Sequence, residues 1–385
     1  MKVLTVGGGS GGHVTPVLAV INELKRTQTP LEVHFWSDRR FAKQATRIIQ
    51  HENSDVKVRA IFSGKLRRYH NTAWWKQLFD IPTTLKNIGD VALLSIGSIQ
   101  SLLLLIAWRP DVIFTKGGFV CLPVGLAAKI LRIPLVIHDS DAHPGLTNRI
   151  LAPWATAIAT GAPLEHYNYP ENKTQYVGIP ISREFREFSE KEQASAKEKL
   201  GVPNDLPLVV ITGGGLGAQL INTAMAAIAD KLIQSTSVVH ITGTKQFELF
   251  EKKVPKSKRY ILLPFVNNDM AQVLGAADVV VTRAGATTML ELAALKKAVI
   301  VVPNAMLTGG HQVKNAKVYE KENAVIVADE EQFKSQPIML QDMIMMLIND
   351  ETLRNQLGKR LSTFAKPDAA YETAKLIKNA IKKEP

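Results

Sequence analysis

A chain of 385 residues, 46% hydrophobic, is long enough for two domains with their own cores, which excludes disorder as its main state. The one cysteine, Cys121, excludes an intramolecular disulfide, and MKVLTV runs into glycines instead of the apolar core of a signal peptide, so a reducing cytoplasm is the expected setting. Lysine and arginine outnumber aspartate and glutamate by 47 to 35, a net charge of +12, which favours anionic partners and leaves nucleic acid, phosphorylated substrates and anionic lipid open.

The first predicted strand, KVLTV (2–6), leads into Val6-Gly-Gly-Gly-Ser-Gly-Gly-His13 and then a helix over Val14 to Arg26. Glycines permit the tight backbone angles with which a loop approaches a phosphate, and the helix start beyond them offers unpaired N–H groups and a positive dipole end. The loop also contains GxGxxG, Gly7 to Gly12, so a dinucleotide site is the rival reading. That rival wants an acid after the next strand, LEVHFW (31–36), where Ser37-Asp38 stands. His13, at the helix start, is the candidate general base, because an imidazole near neutral pH accepts a proton from a hydroxyl. A capping or packing histidine is the plain alternative.

Lys57 to Phe79 holds Lys57, Arg59, Lys65, Arg67, Arg68 and Lys76 without an acid, interleaved with Phe62, Tyr69, Trp74, Trp75 and Phe79. The mixture suits docking on an anionic membrane surface, with Arg67 and Arg68 supplying attraction and Trp74 and Trp75 insertion. Single-stranded nucleic acid is held by the same ingredients, and a basic loop beside core aromatics would look alike. Val91 to Trp108 carries no charge and approaches the length of a membrane span. Its serines and glutamine argue for a buried or surface-packed helix instead. So does the strand DVIFT (111–115), because a crossing would part it from the first strand. PLVIH (134–138) and TAIA (156–159) continue an alternation that predicts a doubly wound parallel sheet. His138-Asp-Ser-Asp141 contains DxD, a pattern that elsewhere holds a divalent metal. Helix starts aimed at a diphosphate reduce the need for one, and neither metal nor cofactor is expected.

Gly178-Ile-Pro180 and the charge-rich stretch from Ser182 to Lys199 place a linker near residue 180. The pattern then restarts with PLVVI (207–211), SVVHI (237–241), YILLP (260–264), DVVVT (278–282) and AVIVV (298–302). The expected fold is α/β, with two Rossmann-like domains over 1–180 and 181–367 whose parallel sheets face a central cleft. A last helix, about 368–385, is expected to pack back on the first domain. Open α/β sheets bind ligands at the carboxyl ends of their strands, so chemistry belongs in the βα loops. Thr212-Gly-Gly-Gly-Leu-Gly-Ala218 repeats the arrangement of strand, glycine loop and helix, and one such loop per domain suits a diphosphate lying across the cleft. Arg283-Ala-Gly-Ala-Thr-Thr-Met-Leu-Glu291 sets small residues and two hydroxyls at another helix start. Glu291, about one turn in, is placed to accept hydrogen bonds from sugar hydroxyls or simply to complement the helix dipole.

These residues, extended to GGGSGGHVTP (7–16), KGGFVCLPVGLAAKILRIPLVIHDSDAHPGLTNRILA (116–152), VGIPIS (177–182), ITGGGLGA (211–218), LPFVNNDMAQVLGAADVVVTRAGATTMLELAALKKAVIVVP (263–303) and HQVKNA (311–316), resemble the MurG family of inverting GT-B glycosyltransferases nearly end to end. The resemblance implies a GT-B fold. It also implies transfer of N-acetylglucosamine from a UDP-sugar donor to the C4 hydroxyl of an undecaprenyl-diphosphate-linked N-acetylmuramoyl-pentapeptide. The enzyme would sit peripherally at the cytoplasmic face of the cell membrane, with no nucleic acid as partner.

By position, the resemblance puts Ser10, Gly11 and Gly12 in the phosphate loop, His13 on the base and Asp141 on a donor-contacting asparagine. Ser182, with Arg183 beside it, takes the place of an arginine after the linker proline. Gly215 falls on a loop serine, and Val266 on the residue whose backbone contacts uracil. Ala286, Thr287, Thr288, Met289, Leu290 and Glu291 cover the stretch meeting diphosphate and ribose, and Gln312 a sugar-contacting glutamine. The chain departs from the family at His138-Asp-Ser-Asp141, where His-Glu-Gln-Asn is usual, and at Ser182 and Gly215. Related GT-B enzymes that glycosylate diacylglycerol share the first glycine loop and the GIP turn, which leaves that acceptor as the alternative. A nucleic-acid-binding protein is the alternative outside enzymes.

Overall fold

The computed structural model describes residues 1–9, 11–65, 81–140, 144–213, 218–266, 269–304 and 311–382. The chain divides into two units, Met1–Ser182 with Lys366–Pro385, and Arg183–Ala365.

In the first unit the order is β1 (Lys2–Val6), α1 (Gly11–Thr27), β2 (Glu32–Asp38), α2 (Ala42–Glu52), β3 (Lys57–Ile61), α3 (Ile81–Ala107), β4 (Val112–Thr115), α4 (Cys121–Leu131), β5 (Leu135–Asp139), α5 (Leu146–Leu151), β6 (Ala157–Thr160) and β7 (Thr174–Tyr176). The strands form one parallel sheet in the order β3-β2-β1-β4-β5-β6-β7. Helices cover both faces, so the central strands β4, β5 and β6 are buried at every position and alternate apolar residues enter different cores. Val3, Val112, Phe114 and Val136 pack with Val17 and Ile21 of α1, while Leu4, Ile113, Leu135 and Ile137 pack with Val124 and Ala128 of α4.

The second unit runs α6 (Glu190–Leu200), β8 (Leu208–Thr212), α7 (Gln219–Leu232), β9 (Ser237–Ile241), α8 (Phe247–Glu251), β10 (Tyr260–Leu263), α9 (Met270–Ala276), β11 (Val279–Thr282), α10 (Ala286–Ala294), β12 (Ala298–Val301), α11 (His311–Lys321), β13 (Ile326–Val327), α12 (Gln332–Ser335), α13 (Ile338–Asn349) and α14 (Glu351–Ser362). Its sheet is again parallel, in the order β10-β9-β8-β11-β12-β13. The alternation repeats: Val209 and Ile211 share a core with α7, Leu208 and Val210 one with α10. A capping box between Ser189 and Glu192 starts α6, and Gly201 at φ +73° ends it.

One segment differs from its sequence reading, and a second, the uncharged stretch, agrees with it. Lys57–Ile61, read as the start of a basic run, is the edge strand of the first sheet, and its exposed Lys57 and Arg59 are charges of the kind that keep an edge from pairing with another chain. The uncharged stretch lies within α3, a surface-packed helix. Leu105 and Ser101 are buried, and the Gln100 side chain accepts from Phe62 N at 2.9 Å and donates to Ala60 O at 3.3 Å. That glutamine is therefore the partner of β3's last backbone groups. By length and composition Asn87–Ala107 is apolar enough to cross a membrane. The strands before and after it, β3 and β4, nevertheless belong to one sheet.

The last helix, α15 (Ala369–Lys382), belongs to the first unit, where Ala374, Ile377 and Ala380 enter the same core as Val17, Ile21 and Leu24 of α1. Ile377 is fully buried there. Ile377→Ala should therefore destabilise the first unit by about 2–4 kcal/mol, read as a lower denaturant midpoint for that unit's unfolding.

Candidate functional site

In the first unit, strand order reverses between β1 and β4. Their following helices leave to opposite faces, α1 with one core and α4 with the other, and the loops between strand and helix are left flanking a crevice. The loop after β1 carries the glycines and His13, third residue of α1. The loop after β4 carries Lys116, Gly117 and Gly118, with φ near +87° and +88° at the two glycines, a region that side-chain-bearing residues rarely adopt. The His13 ring lies 3.8 Å from where a Cβ on Gly118 would stand, so the two loops close on the imidazole.

The first loop is held by an aspartate. Asp38 Oδ2 accepts from Gly9 N at 2.6 Å, and Oδ1 accepts from Arg40 N and Phe41 N at 3.0 and 3.1 Å. A Cβ on Gly8 would stand 2.6 Å from Asp38 Oδ2. This buried carboxylate is thus spent on backbone, which removes the ribose-binding acid that the dinucleotide reading required. Asp139 of the DxD pattern is committed likewise, accepting from Gly145 N at 3.1 Å and the Tyr169 hydroxyl at 2.8 Å. Among the described residues no three His, Cys, Asp or Glu side chains converge as metal ligands would.

Lys116, absent from the sequence-derived candidates, is almost fully buried with its ammonium against Ser140 Oγ. Below it Cys121 donates its thiol to Gly117 O at 2.9 Å, and burial pushes that thiol up to about 12. Asn148 Nδ2 donates to His138 O at 3.1 Å and lines the underside of Gly117. The sequence signal for this second loop was the KGG that follows a short, mostly apolar strand, the same grammar as the loop after β1.

The second unit repeats the design at β8 and β11, where its strand order reverses. The residue before each helix, Gly285 for α10 and Ala218 for α7, has no side chain that caps the first N–H groups, and no other cap is found among the described residues. Uncapped helix starts at a switch point are ready anion sites. Ala286, Thr287 and Thr288 are partly exposed at the start of α10, whereas Met289 and Leu290 are buried. Met289, with Leu292 and Ala293, packs inward and holds the helix on the sheet. Burial pushes the Glu291 carboxyl up to about 7. Behind the loop, Arg283 pairs with Glu330 and donates to Val302 O at 3.0 Å, and Asn315 Nδ2 donates to Ala284 O at 3.1 Å. Gln312 Oε1 accepts from Asn304 N at 2.9 Å, and Val266 follows the end of β10.

Gly11 and Gly12 open α1, and Ser182 and Arg183 stand where the chain passes from one unit to the next. Ser10, Asp141, Gly215, Arg67, Arg68, Trp74 and Trp75 lie outside the described residues.

Residues 3–160 match the glycosyltransferase family 28 N-terminal domain and residues 208–373 the family 28 C-terminal domain. Two curated relatives are named UDP-N-acetylglucosamine--N-acetylmuramyl-(pentapeptide) pyrophosphoryl-undecaprenol N-acetylglucosamine transferase. That of Acetivibrio thermocellus is 31% identical, covering 99% of both chains, and that of Clostridium kluyveri is 32% identical, covering 98% of both. Among solved structures, Acinetobacter baumannii MurG superposes with a TM-score of 0.69 at 22% identity, over 98% of this chain and 99% of that one, a likeness of fold.

The raised Glu291 pKa has a thermodynamic consequence. Between about pH 4.5, its ordinary value, and about 7, the folded protein keeps a proton that the unfolded chain has released. Stability at this site is therefore greatest in acid and falls as pH rises through that window. Glu291→Gln should flatten this part of the profile in chemical denaturation between pH 4.5 and 7.5; a wild-type slope retained by the variant would assign the effect elsewhere.

Proposed function

Because the chain belongs to glycosyltransferase family 28, among the transferases of the MurG type, we propose that it moves N-acetylglucosamine from UDP-N-acetylglucosamine to the C4 hydroxyl of an undecaprenyl-diphosphate-linked N-acetylmuramoyl-pentapeptide. The observation that carries this reading is the repeated switch point. Each unit opens its sheet where two short loops meet, and a histidine stands in the first unit while uncapped helix starts and an acid stand in the second.

The second unit takes the donor. The starts of α7 and α10 face the diphosphate, Glu291 accepts from the ribose hydroxyls, and the Val266 backbone meets the uracil. The first unit takes the acceptor, with its diphosphate on the glycine loops after β1 and β4. His13 removes the proton from the C4 hydroxyl as that oxygen bonds to the anomeric carbon. The bond from that carbon to the β-phosphate oxygen breaks on the opposite side, and UDP leaves with its electron pair. An α-linked donor thus gives a β-linked product. N–H groups of the uncapped helix starts meet the charge that grows on the leaving diphosphate. Asp38 acts one step back, holding the loop that presents His13.

The enzyme docks peripherally on the cytoplasmic face of the membrane. Support comes from α3, where Ile88, Val91, Ile96, Ile99, Leu103 and Ile106 are exposed at helical spacing along one side, while its other side packs on the domain. Such a stripe on a helix tied to a sheet at both ends suits lying in the headgroup layer.

Two outcomes follow. His13→Ala should leave UDP affinity within a few-fold while lowering turnover by roughly a hundredfold or more, the scale of a lost general base; calorimetry beside rate assays checks it, and near-normal turnover would reduce His13 to a packing residue. Ile99→Asp combined with Leu103→Asp, both at exposed positions, should cut flotation with anionic vesicles about tenfold even at high salt, because buried apolar area is not screened. Activity on a short-chain, water-soluble acceptor should survive that pair of changes.

A further inference from the structure

The second unit carries a buried polar chain that the transfer chemistry does not use. Asn222, in the first turn of α7, is fully buried, as are His240 of β9 and Thr242 just beyond it. Asn222 Nδ2 donates to Thr242 O at 3.0 Å and to Gln246 Oε1 at 2.7 Å. A backbone carbonyl only accepts, so this orients the amide and turns Oδ1 toward His240 Nε2, 2.9 Å away. Nε2 therefore carries the imidazole proton, and Nδ1 accepts from the Tyr260 hydroxyl at 2.8 Å. Burial lowers His240 to about 3, which keeps the ring neutral and this tautomer in place at ordinary pH.

The chain continues through the backbone. Thr242 N donates to Leu263 O at 3.0 Å, at the end of β10 and three residues before Val266. One run of hydrogen bonds thus joins the start of α7, across the end of β9, to the end of β10. Apolar packing under α7 is non-directional and leaves a helix free to shift by fractions of an ångström on its sheet. Directional bonds between fully buried groups remove that freedom, because any slip leaves donors or acceptors unsatisfied.

We propose that Asn222 and His240 are positioning residues for the nucleotide, fixing the spacing between the start of α7, where the diphosphate binds, and the Val266 backbone, where the base binds. The inference rests on the donor reading given above. It makes the second unit a gauge for one particular distance, from base to diphosphate, rather than two independent half-sites.

Calorimetric titration with uridine and with UDP separates these ideas, because uridine fills only the base and ribose half. Asn222→Ala should leave uridine affinity within about twofold but lower the UDP-to-uridine affinity ratio about tenfold, the scale of losing one buried directional contact. In steady state the donor KM should rise while kcat at saturating donor and the acceptor KM hold. Tyr260→Phe removes a single hydroxyl without opening a cavity, so it should shift the ratio the same way by about threefold, and it stands in if Asn222→Ala does not fold. An equal loss on both ligands, or an unchanged ratio in the folded variants whatever their melting temperatures, would overturn the proposal and leave the network a plain element of stability. Failure of UDP to bind the unaltered protein would overturn the donor reading itself.

Discussion

In each sheet the described strands all run parallel, so they end on the same side, and among them one place lets the loops beyond them part. That place is the reversal of strand order, between β1 and β4 in one unit and between β8 and β11 in the other. Elsewhere successive helices pack side by side and close the space over the strand ends. At the reversal, the helix after one strand goes to one face and the helix after its neighbour to the other, as the division of α1 from α4 and of α7 from α10 between separate cores records. The glycines, the histidine and the uncapped helix starts gather there because the strand order of the described residues reverses once in each sheet.

Most strands were legible because burial on both faces demands short runs that are mostly apolar, many of them rich in valine and isoleucine. KVLTV, DVIFT, PLVIH, TAIA, PLVVI, SVVHI, YILLP, DVVVT and AVIVV each lie within one residue of the observed ends. β3 was not, since an edge strand exposes half of its side chains and KVRAI reads as a charged loop. β7 and β13 are edge strands too, three and two residues long, and too short to leave a pattern. The α/β class and the glycine loops were therefore readable, while of the sheet edges only β10, an apolar run, was.

Site residues divide along a similar line. Loops that approach a ligand with bare backbone announce themselves through glycine, which is why the regions after β1, β8 and β11 stood out. Groups that hold those loops in shape do so over long sequence separations, and nothing local marks them. Asp38 was visible only as a poor match to a ribose-binding acid, yet it ties down Gly9 from 29 residues away. Lys116 and Asn148 passed unnoticed in a stretch that reads as ordinary βα connection. Met289 and Leu290 came with a contiguous motif, and because their side chains are buried they offer a ligand backbone groups alone.

Cys121 lies in the wall between the second glycine loop and the core beneath it, fully buried, with its thiol pinned to the Gly117 carbonyl. Because it is the chain's one cysteine and its thiolate is disfavoured, the native protein is a nearly silent background for thiol reagents. A maleimide dye would label only introduced surface cysteines, so a variant with one such cysteine in each unit opens the molecule to distance measurements between the two by paired fluorophores. The same burial makes slow alkylation of Cys121 a clock for the opening of the first unit, since the reagent reaches sulfur only when the strand β4 and helix α4 part.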